Sequence, residues 1–227
     1  MWQSVLQAVF PSLCACCGEV LVQGERQVCL KCLGNVEHTL YTPLDDNPVE
    51  RLLATRMPLA HATAMLHFRQ GNVAQQLVHA MKYHDNSELC EAMGRQLGLD
   101  LLRSGRFDDV DTLVPVPLHW TRRLARGYNQ CTLLCQGIAQ TFGRQVNTNA
   151  LVRHRRTKKQ SQRKASDRER NVSGAFSVRS PDKLQGHHIL LVDDVITTGA
   201  TLGSCGQALA TVPGIRISVA ALSVAAG

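Results

Sequence analysis

Thirteen residues, Ile189-Leu190-Leu191-Val192-Asp193-Asp194-Val195-Ile196-Thr197-Thr198-Gly199-Ala200-Thr201, constrain this chain more than any other stretch. Four successive aliphatic residues need burial on both faces, which a strand inside a parallel sheet provides. The strand is expected to end in two carboxylates, followed by a short loop with three hydroxyls and by a helix that begins near Ala200. Backbone N–H groups in such a loop and in the first helical turn lack internal partners, and the helix dipole places partial positive charge there. A phosphate is the natural occupant. Thr197, Thr198 and Thr201 add hydroxyl donors, and Gly199 allows close approach of the backbone to the anion. Asp193 and Asp194 would repel a bare phosphate. They suit a sugar 5′-phosphate, whose 2′ and 3′ hydroxyls donate to carboxylates, or a diphosphate that brings Mg²⁺.

Helical periodicity recurs at Asn72 to Tyr83, Ser87 to Leu102 and Asn129 to Phe142, between apolar runs at Ala60 to Phe68, Val110 to Leu118 and Ile215 to Val224. Strands separated by helix-length segments imply βαβ units, hence an α/β fold with a parallel sheet flanked by helices. The stretch Tyr41-Thr42-Pro43-Leu44-Asp45-Asp46-Asn47-Pro48 reads as a loop. The expected division is a module over 1–40, a linker over 41–55 and the main domain over 56–227. No window holds the roughly 18 uninterrupted apolar residues of a spanning helix, and the first residues lack the basic start of a signal peptide, so a cytoplasmic location without a membrane span is expected.

Nine cysteines are many for a reducing compartment. Cys90, Cys131, Cys135 and Cys205 lie in apolar stretches and read as small buried hydrophobes. Of the other five, four form two C-x2-C pairs, Cys14 with Cys17 and Cys29 with Cys32, separated by eleven residues. Two such turns complete a closed tetrahedral shell of four thiolates, the arrangement of structural zinc. Reduced cysteines in a small hairpin, or two disulfides, are the alternatives, and Cys16 could replace a neighbour as ligand.

The formal charge of +7 is concentrated. Between Arg153 and Arg170 there are nine basic residues and two acidic ones; the rest of the chain is balanced. An anionic partner is therefore expected at that segment. Only His154 offers a ring there, so base stacking and sequence-specific reading are not its expected mode.

The thirteen residues resemble the signature of type I phosphoribosyltransferases, which bind 5-phosphoribosyl 1-diphosphate. Further segments resemble the ComF family, which includes proteins called GntX: Val114-Pro115-Val116-Pro117-Leu118-His119, Arg122-Arg123, Arg126-Gly127-Tyr128-Asn129-Gln130, Gln160-Ser161, and Arg168-Glu169-Arg170-Asn171-Val172 leading to Gly174-Ala175-Phe176. Residues 36 to 70 match nothing. The resemblance implies a type I phosphoribosyltransferase-like domain with an N-terminal zinc module, and a role in natural competence and use of external DNA. It places phosphoribosyl diphosphate, or a related sugar phosphate, on Asp193, Asp194, Thr197, Thr198, Gly199, Ala200 and Thr201, together with Mg²⁺. It assigns Arg122, Arg123, Arg126 and Gly127 to a diphosphate-binding loop, although those arginines also suit a solvated helix face. Lys82 matches a family lysine and equally suits a helix C-terminus. The basic segment, with Arg155, Arg156, Lys158 and Lys159, corresponds to a flexible loop that closes over the reacting centre, and is expected to be mobile when empty.

Two functions remain open from the sequence. One is a DNA-uptake protein that keeps a phosphoribosyl diphosphate pocket and contacts single-stranded or branched DNA, with competence-machinery proteins as further partners. The other is an active phosphoribosyltransferase acting on an unidentified base or amine. No sequence marks the acceptor site, and no residue is nominated as catalytic. The absence of a cysteine directly after Met1, and of a glutaminase domain, argues against an amidophosphoribosyltransferase.

Overall fold

The computed structural model describes residues 11–82, 86–118, 124, 126–154 and 175–225. A five-stranded sheet organises the chain. Its strands are β1 (Ala62–Phe68), β2 (Thr112–Pro115), β3 (Gln145–Val146), β6 (His188–Ile196) and β7 (Arg216–Ala225), ordered β1-β7-β6-β2-β3 and all parallel. β4 (Leu151–Arg153) and β5 (Phe176–Val178) form a separate antiparallel hairpin. The helices are α1 (Leu30–Gly34), α2 (Pro48–Ala54), α3 (Val73–Lys82), α4 (Ser87–Ser104), α5 (Gln130–Phe142) and α6 (Ala200–Leu209).

The sheet is covered on both faces, and the strand period of two sorts its residues between them. In β6, Leu190 and Val192 join a core with α3, α4 and α5, whereas Ile189 and Leu191 join one with α2 and α6. β7 alternates likewise, Ala220 and Leu222 against Val219 and Ala221. Both strands are therefore apolar almost throughout, as an interior parallel strand must be. The first core also contains Cys14, Cys29 and Cys32, so the N-terminal cysteines are packed against the same helices.

α4 and α5 cross at glycines. A Cβ on Gly94 would fall on the Leu134 carbonyl oxygen, and one on Gly137 on the Glu91 carbonyl oxygen. Only a residue without a side chain fits either place, and this contact fixes where α5, which starts beside the site, can lie.

Residues 41–55, expected to be a linker, contain α2, whose Val49 and Leu53 are fully buried. The Asn-Pro sequence that reads as a loop is a helix start. Asn47 accepts from the amides of Val49 and Glu50, Glu50 returns a carboxylate to the Asn47 amide, and Pro48 occupies the first turn, where no N–H is needed. Arg106 anchors the segment by donating to the Thr42 and Leu44 carbonyls and to Asp45 and Glu50.

Connections decide where ligands go. β2 leads through α5 to β3 on one side, and β6 leads through α6 to β7 on the other. The two neighbours β2 and β6 thus send their chains apart, opening a crevice at their carboxyl ends, the place where open α/β sheets bind ligands.

Candidate functional site

β2 stops pairing early. Its register with β6 ends at Pro115 opposite Val192, the Val116 amide still donates to the Val192 carbonyl at 2.9 Å, and Pro117 has no N–H to offer. β7 continues beside β6 to Val224 opposite Ile196. The acid pair therefore lies within the strand rather than after it, held by β7 on one edge and open on the other.

On that open edge the carboxylates fold back onto the backbone. Asp193 Oδ1 accepts from the Asp194 amide at 2.9 Å, and Asp194 Oδ1 from the Val195 amide at 2.8 Å. Both side chains are more than nine-tenths buried, and both border a cavity of about 290 Å³. Protein groups already attend them. Lys82 Nζ lies 2.9 Å from Asp194 Oδ2, Gln130 Nε2 donates to that oxygen at 3.1 Å, and the Cys131 thiol donates to Asp193 Oδ1 at 3.4 Å. Burial, then the neighbouring Asp194 charge, push the Asp193 carboxyl up to about 8. Burial and the same carboxylates hold the Cys131 thiol well above its usual range, so it stays a proton donor.

Lys82 thus reaches the site from the end of α3, and Cys131, which read as a plain buried hydrophobe, bonds to the acid pair from the first turn of α5. Cys131, Asp193 and Asp194 offer ligand atoms within 4.8 Å of one another. The sequence held one sign of this neighbourhood in Lys82 and none for Cys131, because a thiol in an apolar helix looks the same whatever it faces.

The loop beyond is as expected in part. Thr197, Thr198, Ala200 and Thr201 are exposed, Thr197 and Thr201 border the cavity, and no protein group among the described residues accepts from the amides of residues 197–202. Gly199 is buried with φ +71°, and a Cβ there would stand 2.9 Å from Leu53 Cδ2. Its requirement is a left-handed turn packed against α2, a different reason from close approach to a ligand.

Of the residues that the resemblance assigns to a diphosphate loop, Arg126 borders the cavity and its Nη1 donates to Gln130 at 3.1 Å, while Gly127 lines an adjoining cavity of about 490 Å³. Arg122 and Arg123 lie outside the described residues, as do Arg155, Arg156, Lys158 and Lys159 of the basic segment. That segment leaves β4 after Arg153, which lines both cavities, and returns at β5.

Cys14, Cys17, Cys29 and Cys32 bring their sulfurs within 4.8 Å of one another, and Cys16 is not among them. Cys17 and Cys29 sulfurs are 3.7 Å apart, close to the roughly 3.8 Å edge of a tetrahedron with metal–sulfur bonds of about 2.3 Å. Burial opposes ionisation of Cys14, but amide donors from Cys17 and Cys29 outweigh it and bring the thiol down to about 6. The donor set fits a tetrahedral thiolate-bound metal ion. No helix among the described residues is long and apolar enough to cross a membrane.

The chain is similar to proteins of DNA utilization and competence. It is 38% identical over 136 residues to the DNA utilization protein YhgH of Escherichia coli (strain K12), covering 59% of each chain. It is 32% identical over 137 residues to Competence protein F of Haemophilus influenzae, covering 59% of this chain and 60% of that one. It is 34% identical over 97 residues to Competence protein ComFC of Bacillus subtilis, covering 43% and 37%. These relatives bear out the ComF resemblance, and the matched part spans about three fifths of the first two relatives' length. No family model matches. Among solved structures, a glutamine phosphoribosylpyrophosphate amidotransferase from B. subtilis complexed with ADP and GMP aligns with a TM-score of 0.40 at 17% identity, over 57% of this chain and 25% of that one. A structure titled as the allosteric regulatory enzyme of purine biosynthesis aligns with a TM-score of 0.40 at 15% identity, over 82% and 30%.

The raised Asp193 carboxyl has a consequence for stability. Above about pH 4 the unfolded chain sheds this proton while the folded protein keeps it, so stability contributed by Asp193 is complete below pH 4 and is lost as pH rises toward about 8. Thermal unfolding midpoints of the unliganded protein should fall across that window, and Asp193→Asn should flatten the fall. Parallel pH profiles for the two proteins would contradict the assignment.

Proposed function

We propose that the chain binds phosphoribosyl diphosphate with Mg²⁺ at the crevice between β2 and β6, carries a structural Zn²⁺ on its four N-terminal cysteines, and contacts single-stranded or branched DNA in DNA uptake or utilisation. The observation that carries the first part is the coincidence, at one switch point, of a buried acid pair and a run of six uncommitted amides under exposed threonine hydroxyls. In this reading the 5′-phosphate sits on the amides of residues 197–202 with Thr197, Thr198 and Thr201, and the ribose hydroxyls face Asp193 and Asp194. Arg122, Arg123, Arg126 and Gly127 face the diphosphate. Lys82, now paired with Asp194, is the group a diphosphate would draw away. Mg²⁺ would neutralise charge on the diphosphate, with the acid pair as its nearest protein carboxylates.

The names of the relatives, DNA utilization and competence proteins, support the DNA part. So does the rooting of the basic segment at β4 and β5, beside the crevice. Transfer to a base or amine is the second reading. The adjoining cavity of about 490 Å³, which meets the first at Pro117, Leu118, Asn129 and Arg153, favours it by offering room for an acceptor.

Calorimetric titration should show Mg²⁺-dependent binding of phosphoribosyl diphosphate, abolished in the double variant Asp193→Asn, Asp194→Asn; unchanged affinity would remove the acid pair from the site. DNA affinity should fall steeply with salt, and replacing Arg155, Arg156, Lys158 and Lys159 with Ala should make the slope shallower by about three to four counterions. An identical slope would discard the segment as the contact. Elemental analysis should find about one zinc per chain, with Cys29→Ser losing both the metal and thermal stability, whereas Cys16→Ser keeps them.

A further inference from the structure

Residues 36 to 70, where the ComF resemblance matches nothing, place an arginine beside the proposed phosphate loop. α6 presents Gly203 and Gly199, one turn apart, to the segment that follows α2. A Cβ on Gly203 would stand 3.0 Å from Arg56 Cβ, and a Cβ on Gly199 would stand 3.3 Å from Arg56 Cδ and 3.4 Å from Arg56 Nε. The arginine stem therefore runs along α6 toward its N-terminus, bringing Nε beside Gly199. Its start is fixed, since Gln207 Nε2 donates to the Arg56 carbonyl at 3.0 Å and the Arg56 amide donates to the Leu53 carbonyl at 2.8 Å.

The charge at that position is unfavourable as it stands. A helix N-terminus carries partial positive charge and stabilises anions, so a cation laid against it is repelled. Arg56 is exposed, and no acidic side chain among the described residues pairs with it. A phosphate between the guanidinium and the amides of residues 199–202 would turn that repulsion into two favourable interactions at once.

We propose that Arg56 is a binding residue for the 5′-phosphate, adding a cation to the amide loop at the start of α6. This rests on the sugar-phosphate reading of the site and adds to it a charged residue outside the cavity. Arg56→Met keeps the stem that packs on Gly199 and Gly203 and removes only the charge.

The full-length chain is titrated with ribose 5-phosphate and with phosphoribosyl diphosphate over a range of salt concentrations. Arg56→Met should bind each about tenfold more weakly, a typical loss for one charge-assisted contact, with a shallower salt dependence and, once the repulsion from the helix N-terminus is removed, an unfolding temperature of the free chain no lower than that of the wild type. Arg56→Lys should recover part of the affinity and the salt slope. Equal affinity and slope in wild type and Arg56→Met would overturn the assignment while leaving the site intact. Failure of the wild-type chain to bind either compound would overturn the site reading and this inference together.

Discussion

The early end of β2 is the constraint on which the site depends. Had the ladder between β2 and β6 continued past Val192, Asp193 and Asp194 would be sealed between neighbours, and carboxylates there would have no approach from outside. Pro115 and Pro117 deny further amide donors at that edge, and the chain leaves toward α5. Because β7 keeps its pairing to Ile196, the acid pair remains rigidly held while one side of it opens. A ligand meeting these groups encounters fixed carboxylates, so little ordering is left to be done on binding.

The same geometry explains what was legible in the residues and what was not. The run Ile189 to Val192, the threonine loop and the helix after it are local features, each set by neighbours in the chain, and they occur where expected apart from the strand's extension to Ile196. The cysteine pairs are similarly local. α2 was hidden because Asn-Pro reads as a turn unless Glu50 is recognised as the capping-box partner of Asn47 three residues on. Cys131 and Arg56 were hidden for a stronger reason. Their roles depend on contacts across 62 and roughly 143 residues of sequence, made possible by helix crossings at glycines that no local pattern announces.

Glycine placement links these distant parts. Gly94 and Gly137 let α4 and α5 approach until backbone meets backbone, which sets the start of α5 and with it Gln130 and Cys131. Gly199 and Gly203 instead receive the side chains of Leu53 and Arg56, which seats the end of α2 and the turn after it against α6. Each side of the crevice is thus positioned by a close contact at glycine, one in which an added methyl group would require backbone to move and one in which it would displace the Leu53 and Arg56 side chains.

Charge balance resolves the apparent conflict of acids beside the proposed phosphate loop. Two ionised carboxylates would place two negative charges at the crevice and exclude the anion that the amides invite. Lys82 neutralises Asp194, and burial keeps a proton on Asp193 at neutral pH, so the unliganded pair is close to neutral. In the proposed complex a diphosphate would draw Lys82 toward itself and Mg²⁺ held near Asp193 and Asp194 would favour the ionised form of Asp193, so the balance would change only as compensating charge arrives with the ligand. In the sugar-phosphate reading, a crevice wired in this way would disfavour free phosphate, which brings charge without hydroxyls, and favour a ribosyl diphosphate whose hydroxyls meet the carboxylates and whose diphosphate carries Mg²⁺.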